Sequence, residues 1–416
     1  MQRKYRVNRR TVLGTALAAS AWNATDRIVA TMPDPGLLLT GIEVFPVRAT
    51  ERTVWIFVRL QTNRGLTGLG EASDAFGYLN TTDEQVARMK GELGRFFELL
   101  KGKPPDVEQY RANGKPRARQ GGLVSATAYS AIEQGLWDLI GKAEGVPSFA
   151  VLARANGWGD NSERRNTIPV YANINRATRD RTPEGFALVA KAAAAAGFRA
   201  LKAAPFDGFP KPGSRQADVD AAVDRGIACM TAMREAVGPE IELMVDCHSY
   251  FDVVLGRSVA RRMESLNLAW FEEPVAPEQV ADTLAIRQGI RQPMAGGELL
   301  FGVEGFRLLC DKQAVHVIMP DVKHCGGLQE LLQIAALADE AGLRVAPHNP
   351  SGPVGTAASV QACAVLKNLD SLEIQWNEVD WRADVVAPPE TIIDGRMKVP
   401  NAAGFGIELQ EVNRPS

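Results

Sequence analysis

Between positions 168 and 376 the chain alternates short β-rich apolar runs with stretches of helical spacing. This alternation constrains the fold more than any other feature. The runs lie at 168–172, 200–204, 241–246, 268–273, 293–298, 316–321, 344–348 and 372–376. Helical spacing fills gaps such as 183–197, 217–237, 327–342 and 354–368. A strand followed by a helix returns to the same edge of the sheet, so successive strands run parallel with right-handed crossovers. Eight such strands favour closure into an α/β barrel over an open doubly wound sheet. No Gly-x-Gly-x-x-Gly opens any of the helices, which disfavours nucleotide binding. The run Ala192 to Ala196 reads as a helix face packed close to the barrel.

A barrel occupies about 250 residues, and the chain has 416. The excess lies mostly ahead of it. Residues 41–71 read as strands, with Asn63-Arg-Gly65 as a turn, and 83–100 and 125–142 have helical spacing. These make an α+β unit over 37–160, which residues 380–416 are expected to complete, with the barrel at 165–379. The first thirty residues read as an address. Arg3, Lys4, Arg6, Arg9 and Arg10 precede an uncharged run from Thr11 to Trp22, and no acid occurs before Asp26. The Arg9-Arg10 pair resembles a twin-arginine export signal, which predicts an exported, periplasmic protein.

Composition excludes several classes. Lys+Arg 47 against Asp+Glu 49 leaves no basic excess for a nucleic-acid partner. Five scattered cysteines, without a Cys-x-x-Cys pair, give neither a disulfide framework nor a thiolate zinc site. No apolar run is long enough to span a bilayer.

In parallel barrels the chemistry sits where the strands end. Three of those ends carry acids at an even interval of 26 residues: Asp246, Glu272 and Glu298. One β/α unit separates each from the next, so neighbouring strands aim three carboxylates at one spot. Packed together they repel unless a cation neutralises them. Ligation by oxygen alone suits a hard divalent ion, Mg²⁺ first. The chain has four histidines. His316 lies within an apolar run and reads as a satisfied core residue, and the sequence assigns no role to His324. Asp321 and His348 end adjacent runs; a carboxylate beside an imidazole fixes its tautomer and builds a general base. His248 lies two residues past Asp246. Lys202 ends the second run, where a cation can meet a substrate carboxylate or act as a base. The 49–53 and 73–80 loops, with Phe76 and Tyr78, and the stretch Phe206-Asp207-Gly-Phe-Pro210 are candidates to shape the pocket.

These residues resemble the enolase superfamily, and within it the mandelate racemase/muconate lactonising subgroup. The resemblance includes Gly65-Leu-Thr-Gly-Leu-Gly-Glu71, Ser130-Ala-Ile-Glu-Gln-Gly-Leu-Trp-Asp138, Gly141-Lys-Ala-Glu-Gly-Val-Pro147, Phe271-Glu-Glu-Pro274, Gly297-Glu298, Pro320-Asp321, Gly326-Gly327 and Pro347-His-Asn-Pro-Ser-Gly-Pro353. It implies a modified (β/α)7β TIM barrel with an α+β capping domain, a homo-oligomer, and Mg²⁺-assisted removal of the proton α to a carboxylate. By motif match Asp246, Glu272 and Glu298 are metal ligands and His348 with Asp321 the base dyad. Lys202 matches the first lysine of a Lys-x-Lys motif. Ala204 replaces the second, which speaks against a racemase. His248 matches the acid of galactonate-type dehydratases, and Glu373 is placed to hydrogen-bond an enolate. The resemblance thus implies dehydration of a sugar acid to a 2-keto-3-deoxy acid. The alternatives are a racemase or epimerase using His248 as second base, and a non-catalytic exported protein binding metal or sugar acid.

Overall fold

The computed structural model describes residues 36–77, 80–158 and 164–410. The stretch read as an export signal and Tyr78 lie outside them. Within them all eight runs are strands. They are β4 (Thr167–Asn173), β5 (Ala200–Ala203), β6 (Glu242–Asp246), β7 (Trp270–Glu272), β8 (Met294–Gly296), β9 (Val317–Ile318), β10 (Arg344–Val345) and β11 (Leu372–Gln375). Parallel pairing runs from β4 to β10 in order, and β11 pairs in parallel with β4. A parallel bridge between Val345 and Leu369 closes the ring. Seven helices fill the intervals: α5 (Pro183–Ala195), α6 (Gln216–Val237), α7 (Val253–Arg262), α8 (Val280–Gln288), α9 (Gly302–Asp311), α10 (Leu328–Glu340) and α11 (Pro353–Cys363). Among the described residues no α-helix follows the eighth strand, so the barrel is (β/α)7β. In the alanine run Ala193 is buried and Ala194 packs beside it, while Ala192, Ala195 and Ala196 face solvent, so two methyls of the run meet the core.

The capping unit holds the antiparallel sheet β1 (Leu39–Arg48), β2 (Val54–Thr62), β3 (Thr67–Glu71) and the helices α1 (Asp83–Phe97), α2 (Val107–Gln120), α3 (Gly122–Glu144) and α4 (Ser148–Ala155). Helix α1 opens with a reciprocal capping box between Thr82 and Gln85. Helix α2 is not evident in the sequence: it is polar, contains Pro116, and buries only Val107, Tyr110, Gly114 and Ala118. Helix α3 is apolar almost all round because it lies between the sheet and the barrel. Strand β3 lies against its backbone. A Cβ on Gly68 or Gly70 would sit 2.0 Å from the carbonyl oxygen of Gly135 or Ala131, which accounts for glycines in that motif.

The C-terminal segment departs from expectation. It adds β12 (Val386–Ala387), β13 (Ile392–Ile393), β14 (Arg396–Lys398) and β15 (Glu408–Leu409). Strand β14 pairs antiparallel with the start of β4, at the floor of the barrel, and β12 pairs with β15. The cap is reached by the turn at Gly404 and Phe405, where the Phe405 N–H donates to Asp138 at 2.6 Å, by Glu408, 3.4 Å from Lys142, and by Trp381 and Arg382, which pack on Trp55. Residues 380–410 are therefore shared between floor and cap.

Side chains alternate across a strand with period two. One layer inside the barrel contains Tyr171, Met244, Trp270, Ala295, Val317, Met319 and Ala346. Two residues beyond Met244, Trp270, Met319 and Ala346 stand Asp246, Glu272, Asp321 and His348. The apolar floor and the polar mouth are successive layers of one interior.

Candidate active site

Asp246 and Glu272 are register partners on β6 and β7. Glu298 arrives three residues after the layer residue Ala295, because Gly297 turns the chain with φ +107°. One oxygen each from Asp246, Glu272 and Glu298 lies within 4.8 Å of the others, and all three side chains are buried. Neighbours hold them still. Trp270 Nε1 donates to Glu272 Oε2 at 2.8 Å. Glu273, the second acid of the pair, turns away and accepts from the Gly297 N–H at 2.9 Å.

Lys202 is 1% exposed. Its Nζ lies 2.7 Å from Glu272 Oε1, 3.2 Å from Glu373 Oε1 and 3.4 Å from Asp246 Oδ2. Burial alone would depress its pKa; Glu272 and Glu373 overcome this and hold it well above the ordinary value. Burial, reinforced by Asp246, pushes Glu272 far up in spite of Lys202. One ammonium therefore lies within 3.4 Å of three carboxylates, with Glu298 beside two of them. Charge of that excess, presented by oxygen donors alone, fits a hard divalent cation held by Asp246, Glu272 and Glu298.

Two histidines flank this row. His348 Nδ1 is 2.8 Å from Asp321 Oδ2, and its Nε2 is 3.3 Å from Glu298 Oε2. Burial would lower its pKa, but Glu298 and Glu373 with Asp321 raise it. At the other end, His248 Nε2 is 3.2 Å from Asp246 Oδ2 and Nδ1 is 2.6 Å from Asp207 Oδ1. Burial is again outweighed, here by Asp246 and Asp207, and the pKa lies well above the ordinary value. An ionised carboxylate only accepts, so both Nδ1 atoms donate to their aspartates.

Glu373, on β11, accepts from Asn173 Nδ2 at 2.5 Å and from the Asn349 N–H at 3.1 Å. All eight residues singled out from the sequence thus meet at one mouth. Three others belong with them, and the sequence assigns no chemical role to any of them, although Asp207 lies in a stretch it offers as pocket-shaping. Asp207 stands in a loop after β5. Lys323 is fully buried and donates to Asp321 Oδ2 at 2.9 Å and to Ser351 Oγ at 2.6 Å. Arg176 ties Asp74 of the cap, at 2.8 Å, to Glu378 of the barrel, at 3.1 Å. Their shared sequence signal is position three to five residues past a strand end.

His316 lies away from the mouth and accepts from the Met294 N–H at 3.0 Å, but it is half-buried rather than a core residue. His324 is buried with Nδ1 2.9 Å from Thr127 Oγ1, and burial pushes its pKa down to about 4. Phe206 is buried in an aromatic cluster with Phe209 and Phe251, while Phe76 packs on the core. Among the described residues no helix is long and apolar enough to cross a membrane.

The comparisons agree with this geometry. Residues 43–152 match the family model described as mandelate racemase / muconate lactonizing enzyme, N-terminal domain, and residues 186–413 match enolase C-terminal domain-like. A D-xylonate dehydratase of Haloferax volcanii is 30% identical over 85% of this chain and 83% of its own. A D-galactonate dehydratase of Pectobacterium atrosepticum is 27% identical over 86% and 89%. The crystal structure of a mandelate racemase/muconate lactonizing enzyme from Jannaschia sp. superposes with a TM-score of 0.76 at 26% identity, covering 89% of this chain and 95% of that one. Two family models spanning cap and barrel, over a fold with acids at successive strand ends, show that the chain belongs to the mandelate racemase/muconate lactonizing enzyme family of the enolase superfamily.

Proposed function

We propose that the protein dehydrates a sugar acid, with Mg²⁺ at Asp246, Glu272 and Glu298, to give a 2-keto-3-deoxy acid. The observation that carries the reading is the placement of two aspartate-bound imidazoles at opposite ends of one acid row, His248 against Asp246 and His348 against Glu298. The reaction needs a base and an acid, and both must reach adjacent carbons. When bound, the cation supplies positive charge to the substrate carboxylate, where negative charge builds up as the α-proton leaves. Lys202 adds a second positive group there. His348 takes the α-proton on Nε2, with Asp321 supporting the charge it gains. The electron pair of the C–H bond moves between the α- and β-carbons, and the β-carbon–oxygen bond breaks with its pair on oxygen. His248 delivers a proton to that oxygen, and water departs. The enol left behind tautomerises to the keto acid. The names of the xylonate and galactonate relatives support the substrate class.

A second reading has a specific observation behind it. The near-equivalent setting of the two histidines also suits proton delivery from the opposite face, giving an epimer. Incubation of the full chain with a panel of five- and six-carbon aldonates in D₂O, with Mg²⁺ and with chelator, separates them. Dehydration gives a keto product that reacts with semicarbazide only when Mg²⁺ is present. Deuterated epimer without keto product establishes the second reading. Turnover unchanged by chelator refutes the metal assignment.

A further inference from the structure

We infer that Asp207 is the positioning residue of a second aspartate–histidine dyad, holding His248 so that its Nε2 faces the leaving hydroxyl. The inference rests on the dehydratase reading for its kinetic consequence, but its geometric content stands alone. Asp207 lies in the loop after β5, outside any periodic element. Its two oxygens are used separately. Oδ1 meets His248 Nδ1 at 2.6 Å. Oδ2 accepts from Asn175 Nδ2 at 2.8 Å, with Arg181 at 3.7 Å and Arg52 of the cap at 3.9 Å. A carboxylate pinned on one oxygen presents the other in a fixed direction, which orients the ring through Nδ1–H and supports the imidazolium that donates from its far nitrogen.

The pinning continues across the barrel. The Asn175 N–H donates to Asn173 Oδ1 at 2.9 Å, and Asn173 Nδ2 donates to Glu373 at 2.5 Å. A chain of hydrogen bonds thus links β11 to His248. The histidine is also held by its backbone. His248 and Ser249 both have left-handed φ, +45° and +58°, a conformation that costs about 1–3 kcal/mol per residue and persists only where contacts over-determine it. Here the His248 N–H donates to Asp246 Oδ1 at 3.0 Å and the Ser249 N–H to the Glu273 carbonyl at 2.7 Å. The other dyad is pinned in a related way: the Lys323 N–H donates to Asp321 Oδ1 at 2.7 Å while His348 Nδ1 meets Oδ2 at 2.8 Å, as Asn175 holds one oxygen of Asp207 and His248 meets the other. A loop brace alone would need neither the 2.6 Å contact to Nδ1 nor this second pinned aspartate.

The test is Asp207→Asn in the full-length protein. The probes are D-xylonate and D-galactonate in D₂O with Mg²⁺. Deuterium at the α-carbon of recovered substrate reports the His348 step, and keto product reports loss of water. The kcat for product is expected to fall roughly 10- to 1000-fold, as when an orienting carboxylate is lost, with KM little changed. The ratio of exchange to product should rise at least tenfold. A parallel fall of both, or no fall, overturns the proposal. If Asp207→Asn does not fold, Asn175→Ala loosens the same carboxylate and should move the ratio the same way. A second readout needs no turnover. With only four histidines in the chain, ¹⁵N-histidine spectra assigned with His248→Gln show whether Nδ1 of His248 carries a hydrogen-bonded proton. That signal should be lost in Asp207→Asn; its survival overturns the proposal even if neither aldonate is a substrate. Failure of the dehydratase reading shows differently, as wild-type protein that makes no keto product.

Discussion

Lys202 shows how strongly one residue can be held by its site. Its ammonium lies within 3.4 Å of Glu272, Asp246 and Glu373 together, and it is 1% exposed. Removing one partner of a buried charge cluster leaves the other charges uncompensated, at a cost of about 3–5 kcal/mol. Lys202→Met is therefore expected to lower the unfolding free energy of chelator-treated protein, measured in urea, by that amount. Added Mg²⁺ should return part of the loss, because a ligand that binds only the folded state stabilises it by mass action. A midpoint unchanged by Lys202→Met would mean that the acids hold protons instead. Legibility differs sharply among such residues. The even spacing of Asp246, Glu272 and Glu298 is imposed by the β/α repeat and can be read from the chain. Asp207, Lys323 and Arg176 come from loops, where no period ties position to direction, and only the folded chain brings them to the mouth.

At the scale of elements, the cap is joined to the barrel by acids that cap barrel helices. Glu71, at the end of β3, accepts from the backbone N–H groups of Gly352 and Gly355 at 2.7 Å each, at the start of α11. Glu133, on α3, accepts from Leu328 N–H at 2.7 Å and Gln329 N–H at 3.1 Å at the start of α10, and from Trp137 Nε1 at 2.7 Å. Gly327 is needed beside it: its φ is +91°, and a Cβ there would meet Glu133 Oε2 at 2.0 Å. These contacts explain why the motifs at 65–71, 130–138 and 326–327 occur together, although each is weak alone. Sequence reasoning could place α3 as a helix but could not show that its acid serves a helix nearly two hundred residues away. Glu133→Ala leaves three buried donors unpaired at about 1–3 kcal/mol each before relaxation and water entry. A net loss of about 2–4 kcal/mol in urea unfolding is expected, with Glu133→Gln milder because one acceptor oxygen remains. Equal stability of Glu133→Ala and wild type would show that the cap docks by apolar packing alone.

For the whole molecule, acid stability depends on which buried groups must change charge. His324 has its pKa pushed down to about 4 by burial, against an ordinary 6.5. Between those values the unfolded chain takes up a proton that the folded chain refuses, so this residue's contribution is complete above pH 6.5 and is lost as pH falls toward 4. His248 and His348, whose pKa values are raised, act in a different window: their contribution is complete below 6.5 and is lost as pH rises through their folded values. Asp321 is buried, which alone would raise it, but Lys323 and His324 hold it below the ordinary carboxylate range. Its contribution is lost only below about pH 4. Glu133, which burial pushes to about 7, and Glu273, at about 8, pull the other way across the middle range, so a single stability curve mixes signs. The difference between wild type and His324→Asn isolates one group. Measured by urea unfolding, the variant's stability relative to wild type should rise by about 2–3 kcal/mol between pH 7.5 and 4.5, following from about two pKa units at 1.36 kcal/mol each. A relative stability that is flat over this interval would mean that His324 charges readily inside the fold, and that water or a shift of Asp321, 3.9 Å away, reaches its Nε2.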